Sequence, residues 1–179
     1  MLSYNVAGLL RDASGTARTF RFTVPSHEFQ VADDVELAGP VEGEVRLTRT
    51  GRGVLARGHA DTTLAEICSR CANPVLTRLR VDIEEEALPS IDIDSGKPVD
   101  LTAEPDAIHL DDHHELDLAP TVREAISLAE PIAPLCRPDC RGLCLRCGED
   151  LNLAPDHHHD EEDIDPRLAG LADLLNKLS

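Results

Sequence analysis

Six cysteines carry the most specific chemistry in this sequence, and they come in pairs. Cys68-Ser69-Arg70-Cys71 is a C-x2-C pair, Cys136-Arg137-Pro138-Asp139-Cys140 a C-x3-C pair, and Cys144-Leu145-Arg146-Cys147 a second C-x2-C pair followed by Gly148. Zinc takes four N or S ligands at the corners of a tetrahedron, and a C-x2-C turn sets two sulfurs about 4 Å apart along one edge. Two such turns distant in sequence cross-link the elements that bear them. Buried, inert cysteines would not sit among Arg, Asp and Pro. A redox C-x-x-C expects a thioredoxin-like βαβ context, which neither pair has.

Two partitions of the ligands are open. In the first, Cys68, Cys71, Cys136 and Cys140 share one zinc, and Cys144 and Cys147 share another with two residues of the His157-His158-His159 run, His157 and His159. In the second, Cys68, Cys71, Cys144 and Cys147 form a single ribbon-like site. We favour the first because it leaves no thiol unexplained. One or two zinc ions are expected. His109, His113 and His114 are expected to be solvated.

Elements must position these pairs. Arg18 to Val24 reads as a strand closed by Pro25. Residues 35–66 read as a meander in which Val41, Gly43, Val45 and Leu47 alternate and Thr50-Gly51-Arg52-Gly53 is a turn. A third strand covers 75–87, with Val75, Thr77, Leu79, Val81 and Ile83 on one face. Residues 88–118 carry Pro89, Pro98, Pro105, many acids and a single base, Lys97, a composition that predicts an acidic linker or long loop. A helix starts near Pro120 with Val122, Ala125, Ile126 and Ala129 as its apolar stripe, and Pro131 and Pro134 end it. A last short helix is expected from Asp165-Pro166, with Leu168, Leu171, Leu175 and Leu178 as its docking face.

The fold class expected is α+β: a small antiparallel sheet or meander, one or two helices and a Cys-rich zinc-binding segment. The organisation expected is a β-rich part with the first Cys pair (1–87), an acidic linker (88–118), and a helix, Cys-rich knuckle and C-terminal helix (119–179) that pack with 1–87 as one domain.

The 179 residues are 41% hydrophobic but only 2% aromatic, so the core must be aliphatic. The net charge of −17 is unevenly spread: residues 1–81 hold nine acids and ten bases, and residues 82–179 hold 25 acids and seven bases. Local field, not total charge, governs association. Arg46, Arg49, Arg52, Arg57, Arg70, Arg78 and Arg80 face only Asp61 and Glu66 within residues 46–80. Residues 1–15 lack a signal-peptide pattern, and no run reaches 18 apolar residues. A cytoplasmic protein with reduced thiols is expected, with neither membrane nor DNA among its partners.

The Cys-rich run has a further consequence. Cys68-Ser69-Arg70-Cys71, the stretch from Pro131 to Gly148, Asp150-Leu151-Asn152 and Asp165 to Leu171 together resemble the YceD family, the large ribosomal RNA subunit accumulation proteins. The resemblance covers roughly residues 18–178. It implies a bacterial factor in ribosomal RNA accumulation or processing and no established catalytic reaction. Many relatives carry a further Cys pair where this chain has His157-His158-His159.

The function expected is therefore a zinc-binding ribosome-biogenesis factor, not an enzyme, with a ribosomal RNA precursor or a large-subunit ribosomal protein as partner. Arg46, Arg49, Arg52, Arg57, Arg70, Arg78, Arg141 and Arg146 are the candidate RNA contacts, because a guanidinium fork suits phosphate. Scarce aromatics argue against base stacking. An acidic adaptor for a basic ribosomal protein is the alternative. A metal-dependent hydrolase is a remote third reading, because a site of four thiolates leaves no open position.

Overall fold

Period-two alternation builds the main sheet. In Val41–Arg49 (β3), Val41, Val45 and Leu47 are fully buried while Glu42 and Arg46 are exposed. Val54–Ile67 (β4) buries Val54, Ala56, Ala60 and Leu64 on the same side. Pro74–Pro89 (β5) contributes Val81, Ile83 and Ala87. Side chains one residue away point to the opposite face. The computed structural model describes residues 2–102 and 107–159.

Among the described residues, Ala17–Val24 (β2), β3, β4, β5 and Ile108–Leu110 (β6) form a five-stranded sheet in the order β2-β3-β4-β5-β6. All pairs are antiparallel except β5–β6. Ser3–Asn5 (β1) pairs with Glu115–Asp117 (β7) in a second, two-stranded sheet. Ala7–Leu10 (α1) follows β1, and Ala119–Ala129 (α2) follows β7 and packs on β5. The architecture is the α+β class with a mostly antiparallel sheet.

The β4–β5 hairpin outruns its neighbour. Pairing of β3 to β4 ends at Glu42 and Asp61, whereas β4–β5 pairing continues to Ile67 and Pro74. The extension is a two-stranded ribbon roughly 20 Å long at about 3.3 Å per residue. A short segment supports one side of it: Ala38 N–H donates to Thr63 O at 2.8 Å and Ala65 N–H to Glu36 O at 2.9 Å. The first Cys pair sits at the ribbon's tip.

The helix α2 has the expected start and stop. Asp117 Oδ1 accepts from Ala119 N–H at 2.9 Å, and Pro120 occupies the first turn, where its missing N–H is not needed. Glu130 leaves the helical region (ψ 130) because the following Pro131 disfavours it. Val122 and Ile126 are fully buried, Ala125 is half-buried, and Ala129 of the expected stripe is exposed.

Residues 88–118, expected as a linker or long loop, contain β6 and β7. Leu110, Leu116 and Leu118 are buried in the common core, while Asp111, Asp112, Glu115 and Asp117 face outward. Strands of three residues carry too little alternation to show within an acidic average. The expected helix at 166–178 lies outside the described residues. The core is aliphatic as composition requires: Leu9, Leu47, Leu64, Leu110, Leu116, Leu118 and Ile126 are its largest fully buried side chains.

Candidate metal centres

The two C-x2-C turns are built alike. Each is a six-residue loop closing an antiparallel pair: 68–73 between Ile67 and Pro74, and 144–149 between Leu143 and Asp150. In the first, Cys68 N–H donates to Asn73 O (2.8 Å) and Ala72 N–H to Cys68 O (2.9 Å). In the second, Cys144 N–H donates to Glu149 O and Gly148 N–H to Cys144 O, both at 2.8 Å. The residue after the second Cys is left-handed in both, Ala72 at φ 57 and Gly148 at φ 76. Both loops carry an Arg before the second Cys, Arg70 and Arg146.

The C-x3-C loop meets the first turn. Ser69 N–H donates to Pro134 O at 2.8 Å, and Leu143 N–H to Arg70 O at 3.1 Å. The result is a group of four thiols: Cys68, Cys71, Cys136 and Cys140. Cys68 Sγ lies 3.8 Å from Cys140 Sγ, and Cys71 Sγ 3.6 Å from Cys136 Sγ. With Zn–S bonds of about 2.3 Å, a tetrahedron needs S–S edges of about 3.8 Å. These two edges match those of a zinc site, and all four sulfurs lie within 4.8 Å of one another. Cys68, Cys71 and Cys140 are buried with Val75, Leu135 and Leu143 in a small apolar cluster separate from the main core.

The thiols' acidities point the same way. Backbone N–H groups of Cys136, Cys71 and Arg70 pull Cys68 down to about 6. Burial and the neighbouring thiols push Cys136 up to about 12. One thiolate is readily formed, but four together need a cation at the centre.

The second group is Cys144, Cys147, His157 and His159. Cys144 Sγ lies 3.2 Å from His159 Nε2, Cys147 Sγ 3.2 Å from His157 Nε2, and the two Nε2 atoms 3.1 Å apart. A tetrahedral S2N2 set needs S–N edges of about 3.5 Å and N–N edges of about 3.4 Å, so small outward shifts accommodate the ion. Backbone N–H groups of Cys147 and Arg146 lower Cys144 to about 6, with help from the His159 ring. This group is the more exposed: Cys147 and His159 are open to solvent. The eight candidate ligands thus gather as two sets of four, with neither Cys144 nor Cys147 sharing a set with Cys68. His109, His113 and His114 join neither set. His114 is half-buried, with Nε2 unpartnered among the described residues.

One turn depends on glycine. Gly142 has φ 79, and a Cβ there would lie 2.9 Å from Arg70 O. Gly142→Ala should cost about 2 kcal/mol through the left-handed backbone and this contact. A chelator titration should then release metal from the variant at lower chelator concentration than from the parent chain.

Pairing spacing alone misses the shell behind the thiols. Asn73 Nδ2 donates to Cys71 Sγ (3.4 Å) and to Asp150 Oδ2 (3.2 Å). Asn152 Nδ2 donates to Cys140 Sγ (3.4 Å) and to Asp150 Oδ1 (2.6 Å). Asn152 Oδ1 is fixed in turn by the Arg137 guanidinium (2.7 Å) and Arg141 N–H (2.8 Å). The Asn152 backbone N–H, with the Asn152 and Asn73 amides, keeps Asp150 below its usual carboxylate range. Such outer groups orient ligands and tune their basicity. The signal for them was in the sequence, in Asp150-Leu151-Asn152, but not in any cysteine spacing.

Residues 56–175 match the family described as large ribosomal RNA subunit accumulation protein YceD. The chain belongs to the YceD family. An uncharacterized protein of Mycobacterium tuberculosis and one of Mycobacterium bovis are each 35% identical over 132 residues, 74% of this chain and 60% of theirs. One of Mycobacterium leprae is 32% identical over 142 residues, 79% of this chain and 62% of its own length. The chain thus spans about three-fifths of these relatives. No solved structure matches. The YceD match takes in nearly all of β4, together with β5, β6, β7, α2 and every candidate ligand, so it includes both the ribbon and part of the main core.

The arginines that sequence grouped together are separated within this YceD chain. Arg46 and Arg57 are register partners on the open face of the sheet. That face also presents Glu42, Glu44, Asp82 and Glu84. Arg57 pairs with Glu84 and Arg52 with Glu86, both at 2.6 Å. Arg21 and Arg80 pair with Glu44 (2.9 Å) and Asp61 (3.7 Å). Arg49 turns inward and donates to Leu10 O and Gly53 O, each at 3.0 Å, and to Thr50 O. Arg78 stands exposed on the ribbon. Arg70, Arg141 and Arg146 lie in the Cys loops: Arg70 donates to Cys140 O and Arg141 to Pro155 O, both at 2.8 Å. Each of the three remains exposed. Among the described residues, no helix is long and apolar enough to cross a membrane.

Proposed function

We propose that this chain is a ribosome-biogenesis factor of the large subunit in which two structural zinc ions shape an RNA-contacting surface. One observation carries the reading: the candidate ligands gather as two sets of four, the first at the tip of the protruding β4–β5 ribbon and the second on the hairpin that Leu143 and Asp150 tie to that tip, and exposed Arg70, Arg141 and Arg146 lie in their loops, with Arg78 on the ribbon itself. All-thiolate and Cys2His2 tetrahedra suit zinc. Cys68, Cys71, Cys136 and Cys140 would hold one ion, and Cys144, Cys147, His157 and His159 the other. Both sets are closed at four ligands, so the metal's contribution is cross-linking, and the chain acts by binding rather than by catalysis. The family description supplies the ribosomal context.

This reading narrows the RNA contact to the ribbon and the Cys loops. Arg46, Arg52 and Arg57 sit among carboxylates, and Arg49 serves the protein's own backbone. Contact is to phosphate and shape, since the scarce aromatics leave little for base stacking. Arg78→Ala with Arg146→Ala should weaken binding to a large-subunit ribosomal RNA fragment about 10-fold and flatten the salt dependence by about two ions. Arg21→Ala with Arg57→Ala, already ion-paired on the sheet, should change affinity less than about two-fold. Gel-shift titrations at several salt concentrations measure both. Equal losses in the two variants would assign binding to bulk charge and remove this surface.

A second reading has its own observation. An open groove of about 950 Å³ beside α2 has buried Leu2, Val24 and Phe29 in its lining, with six carboxylates, among them Glu28, Glu85, Asp111 and Glu124, against Arg123 and His109. That lining would suit a basic segment of a ribosomal protein. Pull-downs with and without ribonuclease separate the two readings: capture that survives ribonuclease favours the adaptor.

A further inference from the structure

The two candidate centres are joined by one carboxylate. Asp150 closes the hairpin that bears Cys144 and Cys147, paired there with Leu143. Its two oxygens hold two amide groups, Asn73 and Asn152, and each amide directs its other N–H at a sulfur of the first centre, Cys71 or Cys140. These two sulfurs come from different segments, the ribbon tip and the C-x3-C loop. Asp150 therefore orients donors onto both halves of the first ligand set while belonging to the chain segment of the second.

That segment is a loop the second metal would close. Asp150 and Asn152 lie between Cys147 and His157, and both ends of this stretch are ligands of the second set. Closing a loop removes the freedom of everything within it. Other contacts bind the same stretch to the residues after Cys140, namely Leu151 N–H to Gly142 O at 2.9 Å and Arg141 to both Asn152 and Pro155, while Leu143 N–H to Arg70 O ties the hairpin's other strand to the ribbon tip.

We propose that Asp150 is a positioning residue that couples the two centres, so that metal at Cys144, Cys147, His157 and His159 tightens metal binding at Cys68, Cys71, Cys136 and Cys140. The inference rests on the zinc reading above. Coupling is reciprocal by thermodynamic necessity, so the first metal equally tightens the second. Loss of outer-shell donors weakens metal sites about 10- to 100-fold, and this sets the expected size.

Cobalt(II) and zinc titrations of the 179-residue chain test it, with a chromophoric chelator as competitor. The parent chain should take up two ions. Cys144→Ser with Cys147→Ser leaves all four first-centre ligands in place, yet first-centre affinity should fall about 10-fold or more. Asp150→Ala should give a similar fall, and combining it with the double Cys variant should add little. Asp150→Asn, which keeps one acceptor oxygen, should fall between. In the cobalt form, loss of the N–H···S donors should move the first centre's sulfur-to-metal charge-transfer band to lower energy, which a general loosening of the fold would not do. Two ions in the parent chain with unchanged first-centre affinity in these variants, or fully additive losses, overturn the coupling and leave the zinc reading standing. Failure of the parent chain to take up metal overturns the zinc reading itself.

Discussion

Stripping metal with a strong chelator will unfold the Cys region and leave the sheet standing. Hydrogen exchange should show loss of protection at the amides of Cys68, Ser69, Cys140, Leu143, Cys144 and Leu151, while those of β3, β4 up to Asp61, and the facing part of β5 keep theirs. The reason lies in how apolar surface is distributed. The main core unites β1–β7 and both helices, and none of its members is a cysteine. Among the described residues, the Cys region buries Cys68, Cys71, Cys140 and Gly142, with partial cover from Val75, Leu135 and Leu143. Leu145 and Leu153 stand fully or largely exposed. After α2, residues 130–159 form no strand or helix. So few contacts cannot offset the ordering cost of some 25 residues at roughly 1 kcal/mol or more each. Two structural zinc ions, each contributing roughly 10 kcal/mol or more at neutral pH, supply free energy of that size. Uniform loss of protection, in sheet and loops alike, would show that the two regions are one cooperative unit.

Ile126→Ala should do the reverse. Ile126 is completely buried on the face of α2 that packs against β5. Truncating it removes several methylene groups and leaves a cavity in a core with few aromatic side chains to move in, at a cost of about 3 kcal/mol. Urea denaturation followed by far-UV circular dichroism should show the lower midpoint with an unchanged slope. Metal content should stay at that of the parent chain, because Ile126 touches neither ligand set. Chelation and Ile126→Ala together should add, since the perturbed groups share no partner. Loss of metal in Ile126→Ala would mean that the core, not the ligand set, holds the Cys region in place.

What the sequence disclosed follows from the range of each signal. The cysteine pairs and the strands of β2 to β5 were legible because their information is local: a fixed spacing, or an alternation that a single strand displays. The helix α2 was legible through Pro120, Val122 and Ile126 for the same reason. The strands β6 and β7 were not, because three-residue strands carry too little alternation to show through an acidic stretch. The fate of the arginines was also hidden. Arg57 meets Glu84 and Arg52 meets Glu86 only through the register of β4 on β5, some 27 and 34 positions apart. A run of bases along the chain thus became a face of alternating charge across the sheet. Asp150 illustrates the same limit at the metal centres. Its partners Asn73 and Asn152 lie on opposite sides of the C-x3-C loop in sequence, and only the fold brings their amides to one carboxylate.

Metal analysis of the purified 179-residue chain tests the account most directly. Elemental analysis together with native mass spectrometry should find two zinc ions per chain. Cys144→Ser with Cys147→Ser should bring that to one or fewer, and Cys71→Ser with Cys140→Ser should remove the ion of the first set. One zinc per chain that survives loss of His157 and His159 but disappears with either C-x2-C pair would contradict the account, because it would place Cys68, Cys71, Cys144 and Cys147 around a single ion.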